Sequence, residues 1–124
     1  MEQKIRNVAD LFTYDEKTLH LSAGQVLFAE GDSGHQMYVL QSGKAGIFLG
    51  DLQVEEADVG SILGEMALID DMPRAATVIA LTDCRFAVLD EQEFYALLKE
   101  APFFATHVMR ALARRLRNSN AFII

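Results

Sequence analysis

A chain of 124 residues, half of them apolar and with a formal net charge of −7, can build one core without disulfide or metal staples. Its composition excludes a disordered or low-complexity polymer, and its acidic balance speaks against a nucleic-acid partner. The apolar runs are short and broken by charge or glycine, so no membrane span is expected, and no basic leader followed by an apolar core opens the chain, so neither is a secretory signal.

Charge is unevenly spread. Residues 101–124 carry Arg110, Arg114, Arg115 and Arg117 and no acid, which leaves a net −11 on the first hundred residues. The arginines are read as cations favouring a helix C-terminus rather than as a DNA-binding arm. The single cysteine, Cys84, lies in the apolar run Cys84–Leu89. It reads as a small core residue, and one cysteine without a disulfide partner fits a reducing cytoplasm.

Ile5, Val8, Leu11 and Phe12 stand at helical spacing and predict an amphipathic helix over residues 2–12. Thr13 with Glu16 makes a capping-box pattern for a further short turn. After Leu19 the character changes. Residues 26–29, 37–40, 45–49, 52–54 and 76–80 are short, β-rich runs, separated by turn residues such as Ala23-Gly24, Gly31-Asp32, Ser42-Gly43 and Gly50-Asp51. Short strands with glycine turns predict an antiparallel sandwich or roll. From Asp90 the pattern returns to helix. Asp90 and Glu93 form a capping box, and Pro102 opens a longer segment through Asn118 with Val108, Leu112 and Leu116 along one stripe. That stripe is either core packing or a dimer seam. The expected organisation is one domain, 1–124: an N-terminal helical segment (1–19), a β-roll (20–90) enclosing a loop at 64–78, and C-terminal helices (91–120).

The loop from Gly64 to Val78 carries the chemistry. Glu65 stands at the start of a short helical turn, and Arg74 follows nine residues later, directly after Pro73. Ala75 and Ala76 are small and leave the backbone amides around them accessible. A carboxylate accepts from a ribose hydroxyl, and a guanidinium with free N–H groups holds a phosphate. This is equipment for holding a small phosphorylated nucleoside.

These residues resemble the cyclic nucleotide-binding domain family, which includes the sensor domains of bacterial catabolite activator protein and of the regulatory subunit of cAMP-dependent protein kinase. The resemblance covers about residues 10–120. It runs through Gly24…Phe28-Ala29-Glu30-Gly31-Asp32, Met37-Tyr38-Val39-Leu40-Gln41-Ser42-Gly43, Gly60-Ser61-Ile62-Leu63-Gly64-Glu65 and Pro73-Arg74-Ala75-Ala76-Thr77-Val78. It implies a mainly β fold, an eight-stranded antiparallel β-roll of jelly-roll type, flanked by an N-terminal helix and two C-terminal helices. It also implies that residues 64–78 are a phosphate-binding cassette. Glu65 would accept from the ribose 2′-OH and Arg74 would pair with the exocyclic phosphate oxygen. Gly64, Met66, Ala67, Ala75 and Ala76 would complete the cradle with their backbone. Ile47 and Val54 would form an apolar wall against the base, and Ser119 and Asn120 fall where the activator protein touches adenine. A hydroxyl directly after the arginine favours cGMP in this family; Ala75 there favours cAMP and leaves cGMP open. Leu63 stands where many members have an aromatic residue, and His35 where an acid is common.

The function expected is that of a non-catalytic cAMP sensor in the cytoplasm, signalling by rearrangement of its last helix. After Asn120 only four residues remain, so the output is expected on a separate protein partner or through a homodimer formed by that helix. Two other readings stand beside it. One is a ligand-free β-roll serving as a protein-interaction module. The other is a phosphodiesterase, against which the sequence speaks because no metal ligands and no nucleophile–base pair converge. The three histidines are scattered without ligand spacing, Asp70-Asp71 reads as a solvated turn, and no catalytic residue or metal site is expected. Gly60-x-x-x-Gly64 lacks the further residues of a dinucleotide fingerprint or a P-loop.

Overall fold

The structure, a computed structural model, describes residues 17–119. The helix expected over residues 2–12, the Thr13/Glu16 box, Asn120 and the side chain of Ser119 lie outside the described residues.

Eight strands are present among the described residues: β1 (Thr18–Leu21), β2 (Val26–Phe28), β3 (Gln36–Ser42), β4 (Ala45–Leu49), β5 (Leu52–Ala57), β6 (Ile62–Leu63), β7 (Thr77–Ala80) and β8 (Cys84–Asp90). The helices are α1 (Glu65–Asp70), α2 (Glu91–Glu100) and α3 (Pro102–Ser119). All strand pairs are antiparallel. They make two four-stranded sheets with orders β1-β8-β3-β6 and β2-β7-β4-β5. This is the expected β-roll. Thr18 and Leu19, assigned from sequence to the N-terminal helical segment, are strand residues that pair with Ala87 and Phe86. They carry too short a signal to be told from a helix end by pattern alone.

The two faces of β3 explain its unbroken apolar run. Met37 and Val39 point to one side, where they pack with Ile62, Ala87, Leu89 and Leu68 under Phe94, Phe104, Val108 and Ala111 of the last two helices. Tyr38 and Leu40 point to the other side and meet Ile47, Leu63, Val78, Ala80, Cys84 and Phe86 between the sheets. A strand's side chains alternate, so a strand covered on both faces must be apolar at every position. Cys84 is a buried core residue, as expected, and burial raises its thiol pKa.

The capping box at Asp90 forms as read: Asp90 accepts from the Glu93 N–H at 2.8 Å, and the Glu93 side chain accepts from the Asp90 N–H at 3.0 Å. The stripe along α3 is rotated from the expected one. Val108 is buried and Leu112 packs against the core, but Leu116 is exposed. Phe104, Val108 and Ala111 carry the buried face, with the Phe94 and Phe104 rings edge-on at 6.2 Å. His107 Nε2 lies 2.9 Å from the Gly60 carbonyl, which ties α3 to the turn before β6. No described helix is long and apolar enough to cross a membrane.

Candidate ligand-binding site

Chain reversal after β6 places the cassette over the opening between the sheets. Gly64 stands at φ +83°, a left-handed conformation that L side chains resist, and so turns β6 sharply into α1. This drives Glu65, the first residue of α1, into the interior, where it is almost fully buried. The segment from Asp71 to Arg74 returns along the β2–β3 connection. There the Arg74 N–H donates to the Asp32 carbonyl at 2.7 Å and the Arg74 carbonyl accepts from Gly31 at 2.9 Å.

The Arg74 side chain is buried and held by backbone carbonyls. Its terminal nitrogens donate to Gly64 O at 3.0 Å and Gln36 O at 2.8 Å, and the guanidinium carbon lies 4.3 Å from the centroid of the Phe28 ring. No acid pairs with it among the described residues, and its buried Nε donor has no partner there. Burial lowers the Arg74 pKa, against the pull of Tyr38, Glu65 and Asp32. A desolvated guanidinium with a spare donor is a site for an anion. Gly34 contributes by having no side chain: a Cβ there would come within 2.5 Å of the guanidinium.

Glu65 faces Arg115 of α3. Arg115 donates to Glu65 Oε1 at 2.6 Å, to Glu55 Oε1 and Oε2 at 3.1 Å each, and to the Ile62 carbonyl at 2.9 Å. Burial raises the Glu65 pKa, and the opposing pull of Arg115 and of its own backbone N–H does not cancel the shift. For Arg115, burial works against the charge, but the bonds to Glu55 and Glu65 outweigh it and the pKa is raised. Arg115 is thus a structural cation held in the pocket rather than a charge at a solvated helix end. It continues the buried face of α3 set by Phe104, Val108 and Ala111.

Around these groups lies a cleft of about 440 Å³, counted to its open mouth, lined by Phe28, Ile47, Leu63, Val78, the cassette and Arg115. All seven cassette residues singled out from sequence, Gly64, Glu65, Met66, Ala67, Arg74, Ala75 and Ala76, line it, as does Ile47. Val54 does not: it is exposed on β5, because strand alternation turns its neighbour Glu55 inward instead. Leu63, at the position where an aromatic residue was noted, is buried and lines the cleft. His35 is exposed, 3.8 Å from Asp71.

Residues 18–101 match the sequence model described as the cyclic nucleotide-binding domain. The chain belongs to this family. The domain is 44% identical over 82 residues to the cAMP-dependent protein kinase regulatory subunit of Hypocrea atroviridis, a match covering 66% of this chain and 18% of that protein. It is 32% identical over 102 residues to the cyclic AMP receptor protein of Thermus thermophilus, covering 78% and 47%. Among solved structures it resembles an EAL enzyme in its cAMP-bound form (TM-score 0.64, 34% identity, 83% of this chain and 29% of that one). The cGMP-bound form of that enzyme is similar to the same degree (TM-score 0.65, 32% identity, 85% and 29%). The domain therefore spans about a fifth of the kinase subunit and about half of the receptor protein.

Proposed function

We propose that this domain is a non-catalytic sensor of cAMP. The observation that carries the reading is Arg74: a buried guanidinium without an acid partner among the described residues, anchored so that its Nε, unpartnered there, is the donor left for an anion. A cyclic phosphate carries one negative charge and suits a single guanidinium, and Glu65 offers the acceptor for the ribose hydroxyl. Ala75 supplies no hydroxyl next to the phosphate, which favours cAMP; the similar enzyme solved with either nucleotide keeps cGMP as the second ligand to test. The relatives named as a regulatory subunit and as a receptor support binding rather than turnover, and a cytoplasmic setting fits the buried free thiol of Cys84.

Signalling passes through α3, because Arg115 ties that helix to the acid that the ribose needs. Whichever helix position the nucleotide prefers gains population, by as much as the two affinities differ. The readout is a separate partner or a second copy of the chain meeting α3, whose exposed Met109 and Leu116 lie seven residues apart on one face.

Calorimetric titration with cAMP and cGMP tests the binding claim. We expect saturable binding of cAMP, tighter than cGMP, weakened at least tenfold in Arg74→Ala, since a hydrogen bond to a charged group contributes about 1.5–3 kcal/mol. Equal binding by parent and variant would remove Arg74 from the site. No heat from either nucleotide would favour the alternative of a ligand-free interaction module.

A further inference from the structure

Arg115 meets two acids, and the way it divides its donors between them is informative. Glu55, on β5, is the register partner of Ile47 on β4, so the two share a face, and Ile47 and Arg115 both line the cleft. Its carboxylate takes the side edge of the guanidinium, Nε and one terminal nitrogen, in a paired fork at 3.1 Å and 3.1 Å. That same terminal nitrogen also donates to the Ile62 carbonyl at 2.9 Å. The opposite terminal nitrogen alone reaches Glu65, at 2.6 Å on Oε1. Arg114 approaches Glu55 as well, at 3.9 Å. The Arg115 and Glu55 side chains are each less than a fifth exposed, so this clamp is shielded from screening by water.

We propose that Glu55 is a positioning residue for ribose recognition, acting through Arg115. By occupying the fork edge, Glu55 limits Arg115 to a single bond on Glu65. A carboxylate has about four lone-pair sites, so Glu65 keeps acceptor capacity for a 2′-hydroxyl. Glu55 also balances the second cation of the cleft, which leaves Arg74 as the unpaired charge for the phosphate. Without Glu55, the planar fork of Arg115 is free to turn and take both oxygens of Glu65, the geometry guanidinium and carboxylate favour. The hydroxyl then has no good acceptor.

The inference rests on the proposed cAMP-binding function, and its test separates the two. The affinities of cAMP and 2′-deoxy-cAMP are measured calorimetrically for the parent, Glu55→Gln and Arg115→Lys, with melting curves confirming that each variant is folded. For the parent we expect the deoxy ligand to bind about ten- to a hundredfold more weakly. In Glu55→Gln, the variant that decides, that ratio should fall at least threefold, whereas Arg115→Lys, which keeps the charge but has no fork to turn onto Glu65, should hold the parent ratio. If Glu55 merely stabilised α3, both ligands would weaken together and the ratio would hold. An unchanged ratio therefore overturns the proposal, as does a parent ratio near one, while cAMP binding that still depends on Arg74 leaves the sensor reading standing. Failure of the parent to bind either ligand would overturn the sensor reading and this proposal with it.

Discussion

Arg74 exchanges water for two carbonyls and an aromatic face, an arrangement that satisfies its terminal nitrogens and leaves Nε over. A protein that kept an arginine there only for stability would be expected to pair it, since leaving a buried charged donor unmade costs about 1–3 kcal/mol or more. Gly34 tests how finely the guanidinium is placed. Its backbone is not in the left-handed region, so alanine is tolerated by the chain, but the atoms its Cβ would meet are those of the Arg74 guanidinium, which must shift against its carbonyl bonds. Gly34→Ala should therefore weaken cAMP binding several-fold in calorimetry, with a fall in melting temperature beside it. A large loss of stability with unchanged affinity would contradict the placement argument. At this scale Glu65 and Arg74 were legible in the sequence because their chemistry and spacing are local to one loop. Arg115 and Glu55 were not, because each reads alone as a solvated charge; only the fold brings an arginine on the last helix to an acid sixty residues earlier.

The helices that cover the roll depend on local stop and start signals as much as on packing. Asp90 closes β8 and opens α2 in adjacent residues, with its side chain on the Glu93 N–H and Lys17 bridging to Glu93 at 2.7 Å. Asp90→Ala should cost about 1 kcal/mol, a fall in melting temperature of about 3–5 °C for a domain of this size, read by thermal denaturation. An unchanged melting temperature would mean that α2 is held by Phe94 and the core alone. The cap was readable because it is written in four consecutive residues. The phase of α3 was not, because a helix with apolar residues at 104, 108, 111, 112 and 116 offers two overlapping stripes, and packing against β3 and β8 decides between them. Likewise β6, two residues long, falls below the length at which alternation is measurable, so it emerges only as a partner of β3.

At the scale of the whole molecule, β3 is covered on both faces, by the helices on one side and the second sheet on the other, and the cassette closes over the cleft between the sheets, so the binding site and the helical layer share β3, β6 and the start of α1. A change in how Glu65 is engaged is thereby felt by α3 through a single guanidinium, which is the physical basis for reading the domain as a sensor rather than as a passive binder. The β-roll could be inferred from the rhythm of glycine turns and short strands, and its ligand class from one loop. The coupling between the two could not, since it consists of contacts between residues distant in sequence. The most direct test is a crystal structure of the domain grown with saturating cAMP. The account predicts the cyclic phosphate within hydrogen-bond distance of Arg74 Nε, the ribose 2′-hydroxyl on Glu65, and Arg115 still forked on Glu55. A cleft without nucleotide at saturation, or a nucleotide whose phosphate lies away from Arg74, would contradict it.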